Sequence, residues 1–471
     1  MRLSCIAVYE EEGTMKASCN YKTSKHPSVC DCLHSIADTA SKKWENPQYF
    51  LCSRAFKHDI IMQYESIETK LVWEVHMKYD FDTVLSRTGT GCIKWDKPFA
   101  CSDEQTVLPL WVADMDFPCS TEIQEALHRR VEEQIYGYSC GFDDAYRNSV
   151  TGWFQRRFQW TIAADSIFYA GGVVPAIAYL LEILSEEGDS ILIQPPVYYP
   201  FRNKILATRR CVVESPLCNT DGVYTIDFAD LEEKLAADEV KGMILCSPHN
   251  PVGRVWSKEE LQQVADLAHT YGKWIISDEI HCDLIREGIH HIPLHTLVPE
   301  YKDEIIVCTA PSKSFNLAGL QNSNIIITKP EYQQRWKEFV GNRLSLNSCN
   351  SFALAATKAA YNESEDWLNQ VNSYIDQNIR YACDYLEKEL PQAVVSPCEG
   401  TYLLWVDVRA YCPDERQLEK RMRQQSLILD EGYLFGAQGK GFERINMAAP
   451  RSLIEECMRR FVKAVSGEAI E

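Results

Sequence analysis

No run of apolar residues in the chain approaches the roughly 18 needed to cross a bilayer. The opening stretch, MRLSCIAVYEEEG, has only a few apolar residues before three glutamates, too short for the core of a signal peptide. Positive charge is also scarce. With 48 Lys and Arg against 67 Asp and Glu, the net charge is −19, which argues against nucleic acid or an anionic membrane as partner. No C-x-x-C occurs among the 19 cysteines, whose odd number and even spread point to reduced thiols rather than a disulfide framework. Repeats and low-complexity tracts are missing too. The expectation is a cytoplasmic protein.

What is present reads as ordinary globular sequence, 45% hydrophobic and 24% charged. At 471 residues the chain exceeds the size at which single cores stop growing, so two structural domains are expected. From about Ser166, β-branched runs alternate with amphipathic stretches. SIFYAGGVVPAIAYLLEILSEEGDSILIQ reads as strand, Gly-Gly turn, helix with Pro175 in its first turn, and strand. KGMILCSPHNPVGRVWSKEELQQVADLAHTYGKWIISDEIH repeats the plan, with Ser257 and Glu260 spaced as a capping box. DEIIVCTA and NSNIIITK are two more strands. Such alternation predicts an α/β fold with a mainly parallel sheet covered on both faces. Ser351 to Leu390 is one long helical pattern, and GTYLLWVDV and FERINMAA read as strands of a smaller C-terminal domain.

The first 76 residues lack sustained periodicity and carry five cysteines. His26, Cys30, Cys32 and His34 include zinc-binding residue types, but their spacing fits no standard structural site. The expectation is an accessory or spurious extension without a metal, with Met77 as the functional start.

The strand ends carry the chemistry, since ligands of open α/β sheets bind beyond the carboxyl ends. Gly171 and Gly172 follow one strand and open a helix, whose free N–H groups suit an anion. PPVYYPF follows the next, then SPHNPVG with Asn250, then Asp278 with His281 three residues on, then Lys313. Singly, each has a structural explanation: a turn, a core tyrosine, a cap, a surface lysine. Together, an anion site, a flat aromatic, an amide, a carboxylate and an amine are what pyridoxal phosphate requires. Its phosphate, ring, phenolic oxygen, pyridine nitrogen and aldehyde each need one of them.

SPHNPVGRVW, SDEIHCD and APSKSFNLAGLQ resemble the fold-type I pyridoxal-phosphate enzymes of aminotransferase class I/II. LPLWVADMDFP, YGYS, GTYLLWVD and GFERIN resemble, more narrowly, the MalY/PatB group of cystathionine β-lyases, or C–S lyases. The likeness runs from about Tyr79 to the C-terminus. It implies a large α/β cofactor domain over 126–355, a smaller α+β C-terminal domain over 356–471, and an N-terminal arm and small-domain segment over 77–125. By the same likeness Lys313 is the Schiff-base lysine and proton shuttle, Asp278 the partner of the pyridine nitrogen, and Asn250, with His281 nearby, the donor to the ring oxygen. Tyr198 stacks on the ring, while Gly172, Val173 and Ser312 hold the phosphate. Tyr138 resembles the tyrosine that reaches the phosphate of a neighbouring subunit, which implies a homodimer. Arg444 resembles the arginine that grips the α-carboxylate of an amino-acid substrate. Gln321 stands where most of the class have a phosphate-binding arginine, a glutamine often seen in the C–S lyase group.

The resemblance favours C–S β-elimination, in which cystathionine or a related cysteine S-conjugate yields a thiol, pyruvate and ammonia. A thiolate leaves readily because its conjugate acid has a pKa of about 8.5. The same site residues serve an aminotransferase equally, which stays as the alternative. Some of the group are said to bind a transcription activator, so a protein regulator is a third reading. Trp111 and Asp114 fit either a substrate loop or core and cap positions.

Overall fold

The computed structural model describes residues 5–9, 15–19, 60–63, 72–75, 78–97 and 106–467. Contacts divide the chain into Met1–Lys78 and Tyr79–Glu471. Within the first unit, strands Cys5–Tyr9, Met15–Cys19, Ile60–Gln63 and Val72–Val75 form one antiparallel sheet. This differs from the unpatterned extension expected. Runs of four or five residues are too short to show a period on their own, and they become strands only by pairing with distant segments. His26, Cys30, Cys32, His34 and Met77 lie outside the described residues.

In the second unit, β-branched runs build a seven-stranded sheet. Its strands are β1 (Ile167–Ala170), β2 (Ser190–Ile193), β3 (Cys211–Glu214), β4 (Val240–Cys246), β5 (Trp274–Asp278), β6 (Ile305–Thr309) and β7 (Ser323–Ile326). The order is β1-β7-β6-β5-β4-β2-β3, with β7 antiparallel to both neighbours and the other pairs parallel. Alternate residues (Ile244 and Cys246, Ile276, Ile306 and Cys308) form one buried cluster with helix α1 (Val173–Leu184). The residues between them, Met243, Leu245, Ile275 and Val307, are equally buried on the other face. Each such side chain contributes about 1.5–3 kcal/mol of burial. Gly242 is required by this packing, because a Cβ there would lie 2.2 Å from the Trp274 ring.

Helix α2 (Lys258–Thr270) starts with the capping box of Ser257 and Glu260. The long helical stretch is two helices, α3 (Ser351–Glu363) and α4 (Glu365–Glu389), rather than one. The break falls at Ser364, whose hydroxyl is buried against that of Ser120 at 2.7 Å. Beyond it β8 (Val394–Val395), β9 (Leu403–Asp407), β10 (Asp430–Glu431) and β11 (Phe442–Asn446) form an antiparallel sheet in the order β8-β9-β11-β10. Helix α5 (Arg451–Ser466) follows and packs on α4. No helix among the described residues is long and apolar enough to cross a membrane.

Candidate active site

A cleft at the carboxyl ends of β4, β5 and β6 is lined by Gly172, Val173, Tyr198, Asn250, Asp278, His281, Ser312 and Lys313. These segments are up to 141 residues apart in the chain (313 − 172), and the parallel topology brings them together because every parallel strand exposes the same end. Ala113, Cys246, Gln321 and Asn322 are also part of the wall.

Lys313 follows β6 in a single turn, Pro311–Ser314. Its Nζ donates to the Ala113 carbonyl at 2.5 Å. Burial pushes the amine down to about 8, with Arg444 and Lys94 adding to the effect and Asp114 and Asp278 opposing it. Asp278 ends β5, fully enclosed, and accepts a hydrogen bond from the Ile280 N–H at 3.2 Å. Burial pushes its carboxyl up to about 7, against the pull of Lys313. A buried carboxylate in that condition favours a neighbouring cation. His281 is held well below its ordinary value by burial, so its imidazole is neutral, and its Nδ1 has no partner among the described residues.

Asn250 Oδ1 accepts from Arg444 Nη1 at 3.0 Å, and its Nδ2 makes no hydrogen bond among the described residues. Gly172 caps α1 at φ 131°, a backbone that other residues adopt only under strain, with no side chain over the helix end. The N–H groups of Val173 and Val174 therefore remain for a ligand. Lys313 is the one cation among the described residues lining the cleft, since the class's arginine position is Gln321.

Two expected residues lie elsewhere. Arg444, on β11, is buried outside the cleft wall and is reached through Asn250. It lies over the Phe435 ring at 4.9 Å and pairs with Asp430. Tyr138 is fully exposed and takes no part in the cleft of its own chain.

Sequence reasoning missed the acceptors. The loop Trp111–Phe117 gives its Trp111 carbonyl to Arg444 at 2.8 Å and its Ala113 carbonyl to both Lys313 and Tyr402, the latter at 2.8 Å. Backbone carbonyls carry no residue-type signal. Asp430 faces Arg444 across the β10–β11 pair, a register that only the fold sets.

The family model for aminotransferase class I and II matches residues 105–461. Cystathionine beta-lyase PatB of Bacillus subtilis (strain 168) is 39% identical over 389 residues, 82% of this chain and 100% of PatB. Protein MalY of Escherichia coli (strain K12) is 31% identical over 82% of this chain and 99% of MalY. Among solved structures, cystalysin from Treponema denticola, which contains pyridoxal 5'-phosphate, superposes with a TM-score of 0.79 and 39% identity, covering 83% of this chain and 100% of cystalysin. By the extent of these matches, the chain belongs to the aminotransferase class I and II family, in the branch that includes PatB and MalY.

Proposed function

We propose that the protein is a pyridoxal-phosphate-dependent C–S β-lyase that converts cystathionine or a related cysteine S-conjugate to a thiol, pyruvate and ammonia. The single observation that carries this reading is one cleft bringing together Lys313, Asp278 and Asn250 in a chain 39% identical to a cystathionine β-lyase.

The residues fit the cofactor. The N–H groups of Val173 and Val174 and the Ser312 hydroxyl would hold its phosphate. Asp278 would pair with a protonated ring nitrogen, which relieves a carboxylate that burial otherwise holds near 7. Asn250 Nδ2 and the unpartnered His281 would serve the ring oxygen, and Tyr198 would flank the ring. When bound, pyridoxal phosphate supplies an electron sink for negative charge at the substrate α-carbon.

The chain's own residues supply the rest. Arg444 binds the α-carboxylate, and Asn250 fixes its guanidinium plane. Lys313 Nζ, with a pKa near 8, removes the Cα proton near neutrality and can return one to the departing sulfur. The Cα–H and Cβ–S bonds break, a Cα–Cβ double bond forms, and one water hydrolyses the resulting enamine to pyruvate and ammonia.

The working unit is a homodimer. Tyr138 is exposed, as are the neighbouring apolar side chains Ile135 and Tyr136, which suits contact with a second copy. The compartment is the cytoplasm, a reading supported by described cysteines from Cys92 on that are all free thiols.

Purified protein given cystathionine should release pyruvate in amounts matching the thiol formed. If it releases none but transfers an amino group to 2-oxoglutarate, the lyase reading fails. An aminotransferase then takes its place, a reading favoured by a 38% identical solved structure described as a putative aminotransferase.

A further inference from the structure

Arg444 has more partners than a carboxylate-binding arginine can keep. Its guanidinium carries five N–H bonds. Nη1 donates to Asn250 Oδ1 at 3.0 Å. Nη2 donates to the Trp111 carbonyl at 2.8 Å and to Asp430 Oδ2. Nε is buried and has no acceptor among the described residues. A two-point grip on a carboxylate uses two parallel N–H bonds on one edge, either Nε with Nη2 or Nη1 with Nη2. Both edges draw on Nη2, and both of its hydrogens are committed. While these contacts stand, the fork has no free edge.

We propose that Asp430 is an internal carboxylate that occupies the fork of Arg444 until a substrate carboxylate displaces it. The proposal rests on Arg444 as the α-carboxylate site. Three features single out Asp430 as the contact that yields. The Trp111 carbonyl is neutral, so displacing it would leave two carboxylates on one buried guanidinium, whereas exchanging Asp430 for substrate keeps the charge balanced. Asp430 stands opposite Arg444 in the β10–β11 register, and the two side chains are only 5% and 3% exposed, so the pair is built into the sheet. Lys97 also acts electrostatically on Asp430, which gives the displaced carboxylate a second cation nearby.

The consequence is selectivity. An empty site does not hold an unpaired buried guanidinium. An anion making a single-point contact cannot match Asp430, and only a ligand offering a planar carboxylate recovers what is lost. Substrate affinity is correspondingly lower than the arginine alone would give.

The test uses the holoenzyme and 3-(methylthio)propionate, which keeps the carboxylate and the thioether but has no amine to react. Calorimetry should show Asp430→Asn and Asp430→Ser binding it about tenfold or more tightly than the wild type. Unchanged or weaker binding would mean that Asp430 merely positions Arg444, and would overturn the proposal. Arg444→Lys tests the underlying reading separately: it should weaken binding, and if it does not, Arg444 is not the carboxylate site. If both Asp430 variants misfold, a crystal structure of the wild type with this ligand decides. The ligand carboxylate should replace Asp430 on Nη2, and Asp430 still seated there refutes the displacement.

Discussion

Replacing Asp278 with asparagine should make the cofactor-free protein more stable and the loaded enzyme far less active. The side chain is enclosed and its hydrogen bond, from the Ile280 N–H, can be accepted equally well by an amide oxygen. The substitution therefore removes charge with little change of shape. In the folded chain the carboxyl ionises at about 7, and in the unfolded chain at about 3.9. Between about pH 4 and 7 the unfolded state has lost this proton while the folded state keeps it, so wild-type stability falls as pH rises through that window and levels off above it. About three pKa units at about 1.4 kcal/mol each give a penalty on the order of 4 kcal/mol at pH 8. Asp278→Asn removes it. Urea unfolding of cofactor-free protein should show a small difference at pH 4 and a gain of a few kcal/mol for the variant at pH 8. Pyruvate formation by the loaded variant should fall about 100- to 1,000-fold, because an amide cannot hold a proton on the ring nitrogen. A variant no more stable than the wild type at pH 8 would refute the reasoning, since burial would then not be opposing the charge.

Arg444→Lys keeps the charge but loses the planar fork, and kcat/KM for cystathionine should fall about 30- to 1,000-fold, or 2–4 kcal/mol, in a pyruvate assay. Capture of pyridoxal phosphate by cofactor-free protein needs the free Lys313 amine. Its rate, followed by visible absorbance, should drop toward tenfold per unit below about pH 8, and an ordinary lysine would still be gaining reactivity at pH 10. Mixing Tyr138→Ala and Lys313→Ala chains should restore about a quarter of wild-type activity, since half the dimers are hybrids with one intact site each. No recovery beyond the sum of the parents would mean that Tyr138 does not serve the partner's site.

The sequence was informative where a residue's type and a strand's end coincide. Lys313, Asp278 and Asn250 each follow a β-branched run, and a parallel sheet turns that local regularity into a shared cleft. The antiparallel direction of β7 was not legible, because strand direction depends on the connection and not on the run itself. The break at Ser364 was hidden because the helical period continues across it; the Ser364 hydroxyl there bonds both the Ala359 carbonyl and the distant Ser120. The strands before residue 78 were missed for the related reason that four or five residues show no period until they find partners.

The loop Trp111–Phe117 marks the same boundary inside the site. Its motif was recognisable, but Trp111 and Asp114 fitted either a substrate wall or a core and cap position. The structure gives them a different job. Arg87 and Lys94 bind Asp116 at 2.7 and 2.6 Å, and Arg87 binds Asp114 at 2.7 Å, which clamps the loop from one side. Asn316, three residues after Lys313, accepts from the Met115 N–H and donates to the Met115 and Phe117 carbonyls. Asn446, two residues from Arg444, takes the Val112 and Asp114 carbonyls at 2.7 and 2.6 Å. The loop thus joins the segment that carries Lys313 to the strand that carries Arg444, and its acidic side chains serve as anchors. Lys94 also reaches Asp114 at 3.4 Å, so both cations share both carboxylates, and it takes loss of the whole cluster to release the carbonyls that orient Lys313 and Arg444. Lys313 and Arg444, 131 residues apart (444 − 313), are held in register by a loop that touches each through its backbone.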